Sequence, residues 1–414
     1  MSREFGYLGL PIIGINSFGY SDSYASRTFA QYHNAVETTG LGQGLLKRLN
    51  DDPRVNKMLG QLIPCGLNNS AGFDVKILTA WWLKRSNEVG QAQADAELED
   101  YFGSDEVDVI VSHWVVGLNP SKVMALGNGY DLYPLADMPD SDSKERYSQA
   151  VNKFNRLDGP VPRAAICKTV KRKKIKVENS DEISVLSNTI LSQIDNLILI
   201  LNCIPGVICL PWIQTSHLPE NVPTGIISTS DLRWPMNDFS YQKIVNVIDL
   251  DEPLVANLLT GFAKLDENST QRISMAMYRL AIAKATNNIQ SAALDLGISL
   301  EMVLLAGEGG KSQIRHKFST RASWLIGRDG QERLILFKLF QRIYDDRSSI
   351  AHEGFSNKLQ KCNFQSSGKH LTDNFALAER VFREIIINGL PTCWNALVLD
   401  ALNQVSFDNT KPIT

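Results

Sequence analysis

Tyr344-Asp-Asp-Arg347-Ser-Ser-Ile-Ala-His352-Glu-Gly354 decides how the C-terminal part of this 414-residue chain is read. Upstream of it, Leu336, Leu339, Phe340, Ile343 and Ile350 recur at three-and-four spacing, which predicts an amphipathic helix over residues 331–352. Arg347 falls on the same apolar stripe. A guanidinium in such a seam is costly unless it is paired or faces a site or a partner, so its position needs a reason. Gly354 supplies a stop signal and leaves His352 in the last turn, where the helix dipole favours a positively charged ring. Histidine is also the side chain that trades protons near neutrality.

Spacing alone carries little, because Arg27-Thr-Phe-Ala-Gln-Tyr-His33 repeats it in the same chain. Five residues of regular helix turn through roughly 140° modulo a full circle, so Arg347 and His352 point to different sides of one helix. They converge only if the helix end is irregular or a second subunit completes the site.

Around the motif helix the period predicts four more. One starts at Arg272 with Ile273, Met277 and Leu280; one runs from about Asn288 through Leu296 to Leu305; one covers Ser312–Ile326 with Phe318, Ala322 and Leu325; the last covers Leu371–Ile387 with Phe375, Ala378, Phe382 and Ile385. The polar stretch from Phe355 to His370 is expected to be a loop whose Lys358, Lys361, Lys369 and His370 could touch a polyanion. Trp394, Leu397, Val398, Ala401 and Leu402 predict a tail helix. Gly307-Glu-Gly-Gly-Lys-Ser312 lacks the leading glycine of a P-loop, so a turn with Ser312 as helix cap is expected.

Three ordered segments of this region resemble the HEPN domain family, in its ApeA-like branch, over residues 271–388. They are Ser299-Leu-Glu301-Met-Val-Leu304, Phe318-Ser-Thr-Arg321-Ala322-Ser-Trp324-Leu325, and Tyr344-Asp-Asp-Arg347-Ser348-Ser-Ile-Ala-His352. Where the family often follows its histidine with glycine, Glu353 intervenes here. The resemblance leaves the first 250 residues unclaimed; with the mixed strands and helices read there, an α+β multidomain chain is expected. A mixed α/β sensor or regulatory region over 1–250 would precede an all-α HEPN bundle over 268–390 and a tail helix over 391–414.

The resemblance further implies a homodimer formed through the motif helices, and a metal-independent endoribonuclease with no cofactor. His352 would act as base or acid on the ribose 2′-hydroxyl, Arg347 would stabilise charge on the phosphate, and Ser348 would help orient it. Tyr344 is a supporting position, more often packing than chemistry, and Glu353 is an added carboxylate beside the site. The substrate class would be single-stranded or loop RNA, tRNA included. The role would be anti-phage defence by abortive infection, in the manner of a toxin released by a phage-derived protein trigger. Two alternatives stand beside it: a non-catalytic HEPN dimer that binds RNA, nucleotide or a protein partner, and a plain scaffold. In the scaffold Arg347 only staples the dimer; the bland reading of the two residues themselves is a buried salt bridge from Arg347 to Glu301 or Asp295, with His352 an ordinary surface histidine.

Charge is distributed unevenly. Residues 268–390 carry 17 Lys and Arg against 11 Asp and Glu, a balance of +6, whereas residues 1–267 stand at −8. A basic C-terminal part agrees with RNA there. The most apolar run, from Leu197 to Pro211, is broken by Asn202, Pro205 and Gly206, so it predicts core rather than a membrane span. With Met1-Ser-Arg-Glu lacking a secretory start, a cytoplasmic location without membrane is expected. Six cysteines, at 65, 167, 203, 209, 362 and 393, have no CxxC pairing and are expected to be reduced and buried, with no metal.

In the first 250 residues, Val107–Val116 and Ile244–Ile248 read as strands and Glu182–Leu201 as a helix. The basic block Lys168–Lys176 is either a lysine-protected strand edge or a nucleic-acid contact. Gly40-Leu-Gly-Gln-Gly44 is expected to be a loop.

Overall fold

The structure is a computed structural model. It describes residues 24–67, 70–139, 161–174, 180–223, 250–306, 313–356 and 364–391, with Trp394 and a few single positions besides. The fold is mixed α/β with two antiparallel sheets, and helices dominate the C-terminal half. Among the described residues no helix is long and apolar enough to cross a membrane. The chain divides into two compact units. One holds the described residues up to Asp195 together with 211–223; the other holds Asn196–Leu210 together with the described residues from Leu250 onward.

The first unit opens with helices α1 (Tyr24–Thr38), α2 (Gly40–Asn50) and α3 (Pro53–Met58). The glycine-rich stretch expected to be a loop is therefore the first turn of α2. The reason is packing: a Cβ on Gly42 would lie 2.6 Å from the Ala35 carbonyl oxygen and 2.8 Å from Val36 Cα, so glycine lets α2 close onto α1. Strands β1 (Leu62–Pro64) and β2 (Ser70–Gly72) pair antiparallel, and α4 (Val75–Val89) and α5 (Gln91–Gly103) follow.

The main sheet contains β3 (Glu106–Val116), β4 (Met124–Gly127), β5 (Tyr130–Pro134), β6 (Ala164–Lys173) and β7 (Leu210–His217), in the order β4-β5-β6-β3-β7. Asn128 and Gly129, both at positive φ, turn the β4–β5 hairpin as that dipeptide favours. Trp114, Ala165, Cys167 and Ile213 form a core cluster with Met138, and the Trp114 indole donates to Thr215 Oγ1 at 3.0 Å.

The basic block lies on β6, which pairs with β3 along its length and with β5 only over Ala164–Lys168. Its later residues thus have a neighbour on one side, as an edge would. Two of its cations point inward, however. Arg172 donates to the carbonyls of Gly66 (3.1 Å) and Leu67, and Lys174 to those of Tyr101 and Ser104, both side chains buried. Those two are not a nucleic-acid surface. The strand expected over 244–248 lies outside the described residues.

Helix α6 (Ser180–Leu201) contains the division between the units. The second unit continues with α7 (Glu252–Phe262), α8 (Glu267–Ala285), α9 (Ile289–Leu304), α10 (Ile314–Ile326), α11 (Gly330–Glu353) and α12 (Phe364–Asn388). Side-chain caps start these helices where the sequence offers Asp or Asn: Asp251, Asp266, Asn288 and Asp329 each accept from a first-turn amide at 2.8–3.1 Å. Helix ends are closed by arginines, with Arg321 donating to the Leu304 carbonyl (2.8 Å), Arg333 to Gly327 (3.0 Å) and Arg380 to Ile326. Pairs α8–α9, α10–α11 and α9–α11 pack around Ile273, Met277, Leu296, Leu300, Phe318 and Phe340.

Several boundaries differ from expectation. The helix expected from Arg272 begins at Glu267 behind the Asp266 cap. The residue before α10 is Gln313, at φ 59° with no side-chain cap bond; Ser312 lies outside the described residues. The expected loop to His370 ends early, because α12 already starts at Phe364. Lys369 and His370 therefore stand on a helix, while Lys358 and Lys361 lie outside the described residues. Cys65, Cys167, Cys203 and Cys209 are buried as expected; Cys393 is exposed instead, and Cys362 is not among the described residues.

Candidate functional site

Helix α11 carries the candidate residues and is regular to its end. Asp329 caps the start, and Gly354 at φ 78° closes it, its N–H donating to the Ile350 carbonyl at 2.9 Å. Regularity removes one of the two routes by which Arg347 and His352 could meet. Within one subunit they stay roughly 140° apart around the helix.

Arg347 faces α9. Its methylenes lie over Gly297, where a Cβ would overlap both Arg347 Cβ and Cγ. One turn further along α9, Glu301 Oε2 meets Arg347 Nη2 at 2.7 Å, with the two side chains 25% and 18% exposed. Arg347 Nε is buried and has no hydrogen-bond partner among the described residues. Burial lifts the Glu301 carboxyl above its usual range, against the pull of Arg347. Of the two carboxylates weighed as structural partners, Glu301 takes the arginine, and Asp295 instead pairs with Arg279 at 3.0 Å.

Tyr344 packs its ring against Phe318, with centroids 5.6 Å apart. Burial first, and then the Glu301 charge, raise its phenol pKa. Ser348 is half-buried, whereas His352 and Glu353 are exposed in the last turn. His352 makes no hydrogen bond or ion pair to another described residue.

One constellation escaped the sequence reading. Asp346 is buried, accepts from Ser356 Oγ at 2.9 Å and lies 3.6 Å from His370 Nε2; Asn374 Nδ2 lies 3.4 Å from the same ring nitrogen. The Ser356 amide donates to Gln290 Oε1 at 3.0 Å. Asp346 thereby ties Ser356, just past the end of α11, and His370 of α12 to the middle of α11's last turns. The signal was available, since Asp346 sits three residues after Ile343 and four before Ile350, on the buried phase of the helix.

Part of the positive charge of the C-terminal part is engaged internally. Arg279, Arg315 and Arg380 are ion-paired, and Arg321, Arg333 and Arg383 donate to main-chain carbonyls. Among the described residues no three His, Cys, Asp or Glu side chains gather as a metal-binding group. In the first unit, a cleft of about 240 Å³ lined by Arg48, Asp52, Arg54, Asp95 and Glu99 has its charges paired across it. Comparison with protein-family models, curated proteins and solved structures finds no match for this chain.

Proposed function

We propose that the C-terminal helical unit is a metal-independent endoribonuclease acting on single-stranded or loop RNA, its site completed by a second copy of the chain. The observation that carries this reading is an exposed histidine at a helix end. His352 is exposed and unpartnered among the described residues, on the same helix as a half-buried arginine. Because the regular helix separates the two around its axis, the second copy supplies the missing half. In that site His352 takes the proton from the ribose 2′-hydroxyl, whose oxygen attacks the adjacent phosphorus. Arg347 offsets the negative charge that builds on the phosphoryl oxygens. The 5′-oxygen leaves with a proton from the other copy's histidine, giving a 2′,3′-cyclic phosphate and a 5′-hydroxyl. Proton transfer of this kind contributes typically ~10²- to 10⁴-fold. The biological role is anti-phage defence, with the first unit responding to a phage-derived trigger.

A second reading, a non-catalytic dimer that binds RNA or a protein, is favoured by the Arg347–Glu301 pair and by exposed Glu353 beside the histidine. Incubating wild type and His352→Ala with total tRNA and mRNA in EDTA separates the two. Wild-type cleavage with cyclic-phosphate ends, reduced at least ~10²-fold in the variant, is the expected result. Cleavage that EDTA abolishes would overturn the mechanism, and cleavage retained by the variant would remove His352 from it.

A further inference from the structure

Glu301 and Arg347 form an ion pair that uses the guanidinium incompletely. The edge carrying Nε and Nη2 is the one that grips a carboxylate or phosphate with two parallel bonds. Among the described residues three other arginines use it fully: Arg315 meets Asp345 with Nε at 2.6 Å and Nη2 at 2.8 Å, Arg85 meets Glu97 at 2.8 and 3.1 Å, and Arg54 meets Asp52 at 3.1 and 2.8 Å. Of that edge Arg347 gives Glu301 its Nη2, at 2.7 Å, and leaves the neighbouring Nε–H buried without an acceptor among the described residues. A buried donor without a partner is destabilising, so this is a poor way to build a staple. The stem cannot easily turn to correct it, because its first two methylenes are seated against Gly297. What can change is the anion on the edge.

We propose that Glu301 is an internal lock on Arg347, a carboxylate standing on the guanidinium edge that an RNA phosphodiester takes when it displaces it. The inference rests on the nuclease reading for its consequence, and on the geometry alone for the oxyanion site. An incoming phosphate has two oxygens to offer and would satisfy Nε as well as Nη2, which Glu301 does not. The lock is suited to release because burial already disfavours the ionised Glu301. It keeps the arginine from binding stray anions while leaving it reachable by a polyanion held nearby.

The test uses the full-length chain and two probes: a short single-stranded RNA that is fully 2′-O-methylated, which binds but cannot be cleaved, and its unmodified counterpart. Glu301→Gln keeps the shape and removes the charge. It is expected to tighten the methylated RNA about tenfold, the effect of removing one charge-assisted competitor, and to raise single-turnover cleavage by a similar factor. Glu301→Asp, which draws the carboxylate back, should give a smaller gain and serves if the first variant unfolds on thermal denaturation. The gain must vanish when Arg347→Lys is added, since lysine lacks the fork. Unchanged or weaker binding by a folded Glu301→Gln chain overturns the lock, as does a gain that survives Arg347→Lys. Tighter Arg347-dependent binding with no cleavage by any variant would keep the lock and sink the nuclease. Wild-type cleavage with no gain on unlocking would do the reverse.

Discussion

His113 sits in the middle of β3 as a buried imidazole, neither of whose ring nitrogens finds a partner among the described residues. Burial alone pushes its pKa down from 6.5 to about 4, so the folded protein holds it neutral. The consequence for stability has a definite sign. With the folded pKa below the unfolded one, the unfolded chain binds the proton first. The stability this residue permits is therefore complete above pH 6.5, declines as pH falls, and is gone by about pH 4. Between pH 7 and pH 5 the loss from this one group is about 2 kcal/mol. Urea denaturation of wild type and His113→Leu at both pH values checks it. The leucine variant should be less sensitive to acid by about that amount, and equal losses in the two proteins would mean that the imidazole is charged or hydrogen-bonded when folded. The same residue scale explains why Asp346 and Asp345, neighbours in sequence, differ. One is buried under Ser356 and His370, and the other is a surface partner of Arg315.

At the scale of elements, the α9–α11 contact depends on a glycine. In an exposed helix Gly→Ala stabilises by up to about 1 kcal/mol. At Gly297 the added Cβ would overlap the Arg347 stem, so Gly297→Ala should instead destabilise by about 1–3 kcal/mol and loosen the hold on Arg347. Gly44→Ala in α2, where a Cβ meets nothing within 4 Å, is the control and should stabilise. Chemical denaturation of both variants reads the two signs, and a stabilising Gly297→Ala would show that the helices are not so close. This contact also marks what the sequence could tell. The α11 helix was legible from its own residues, since Leu336, Phe340, Ile343 and Ile350 are buried as their period requires and Gly354 ends it. Glu301 was legible as one of two partners for Arg347. The helical state of Gly40–Gly44 was missed: Thr39 caps it locally, accepting from the Gly42 amide at 3.0 Å, and the close approach of Gly42 to α1 is a contact outside the local pattern. The early start of α12 was hidden for a related reason. Its first turns are polar, and polarity alone does not separate an exposed helix from a loop.

At the scale of the molecule, the second unit is assembled from two separated stretches of chain, and a buried cation joins them. Lys284 on α8 donates to the carbonyls of Asn202 (2.8 Å) and Val207 and to Glu379 Oε1 on α12 (2.6 Å); lysine and glutamate side chains are each 3% exposed. Arg383 adds a bond to the Cys203 carbonyl at 2.9 Å. The run from Leu197 to Pro211 announced itself as core by its apolar content, but the sequence could not say which core. The decisive contacts reach across 77 to 95 residues and are made by lysine, a residue type that composition assigns to surfaces. Burial pushes the Lys284 ammonium down and the Glu379 carboxyl up, so desolvation opposes much of what the pair gains from attraction. Breaking one side and replacing both should therefore differ sharply. Lys284→Met leaves a buried carboxylate and two carbonyls without their donor, and should cost about 3–5 kcal/mol. Adding Glu379→Leu removes the stranded charge and should restore a large part of that loss, leaving mainly the two carbonyls unsatisfied. Urea denaturation of the single and double variants measures the difference. A double variant no more stable than Lys284→Met would mean that the clamp on Asn202 and Val207, rather than the ion pair, holds this segment to the helices.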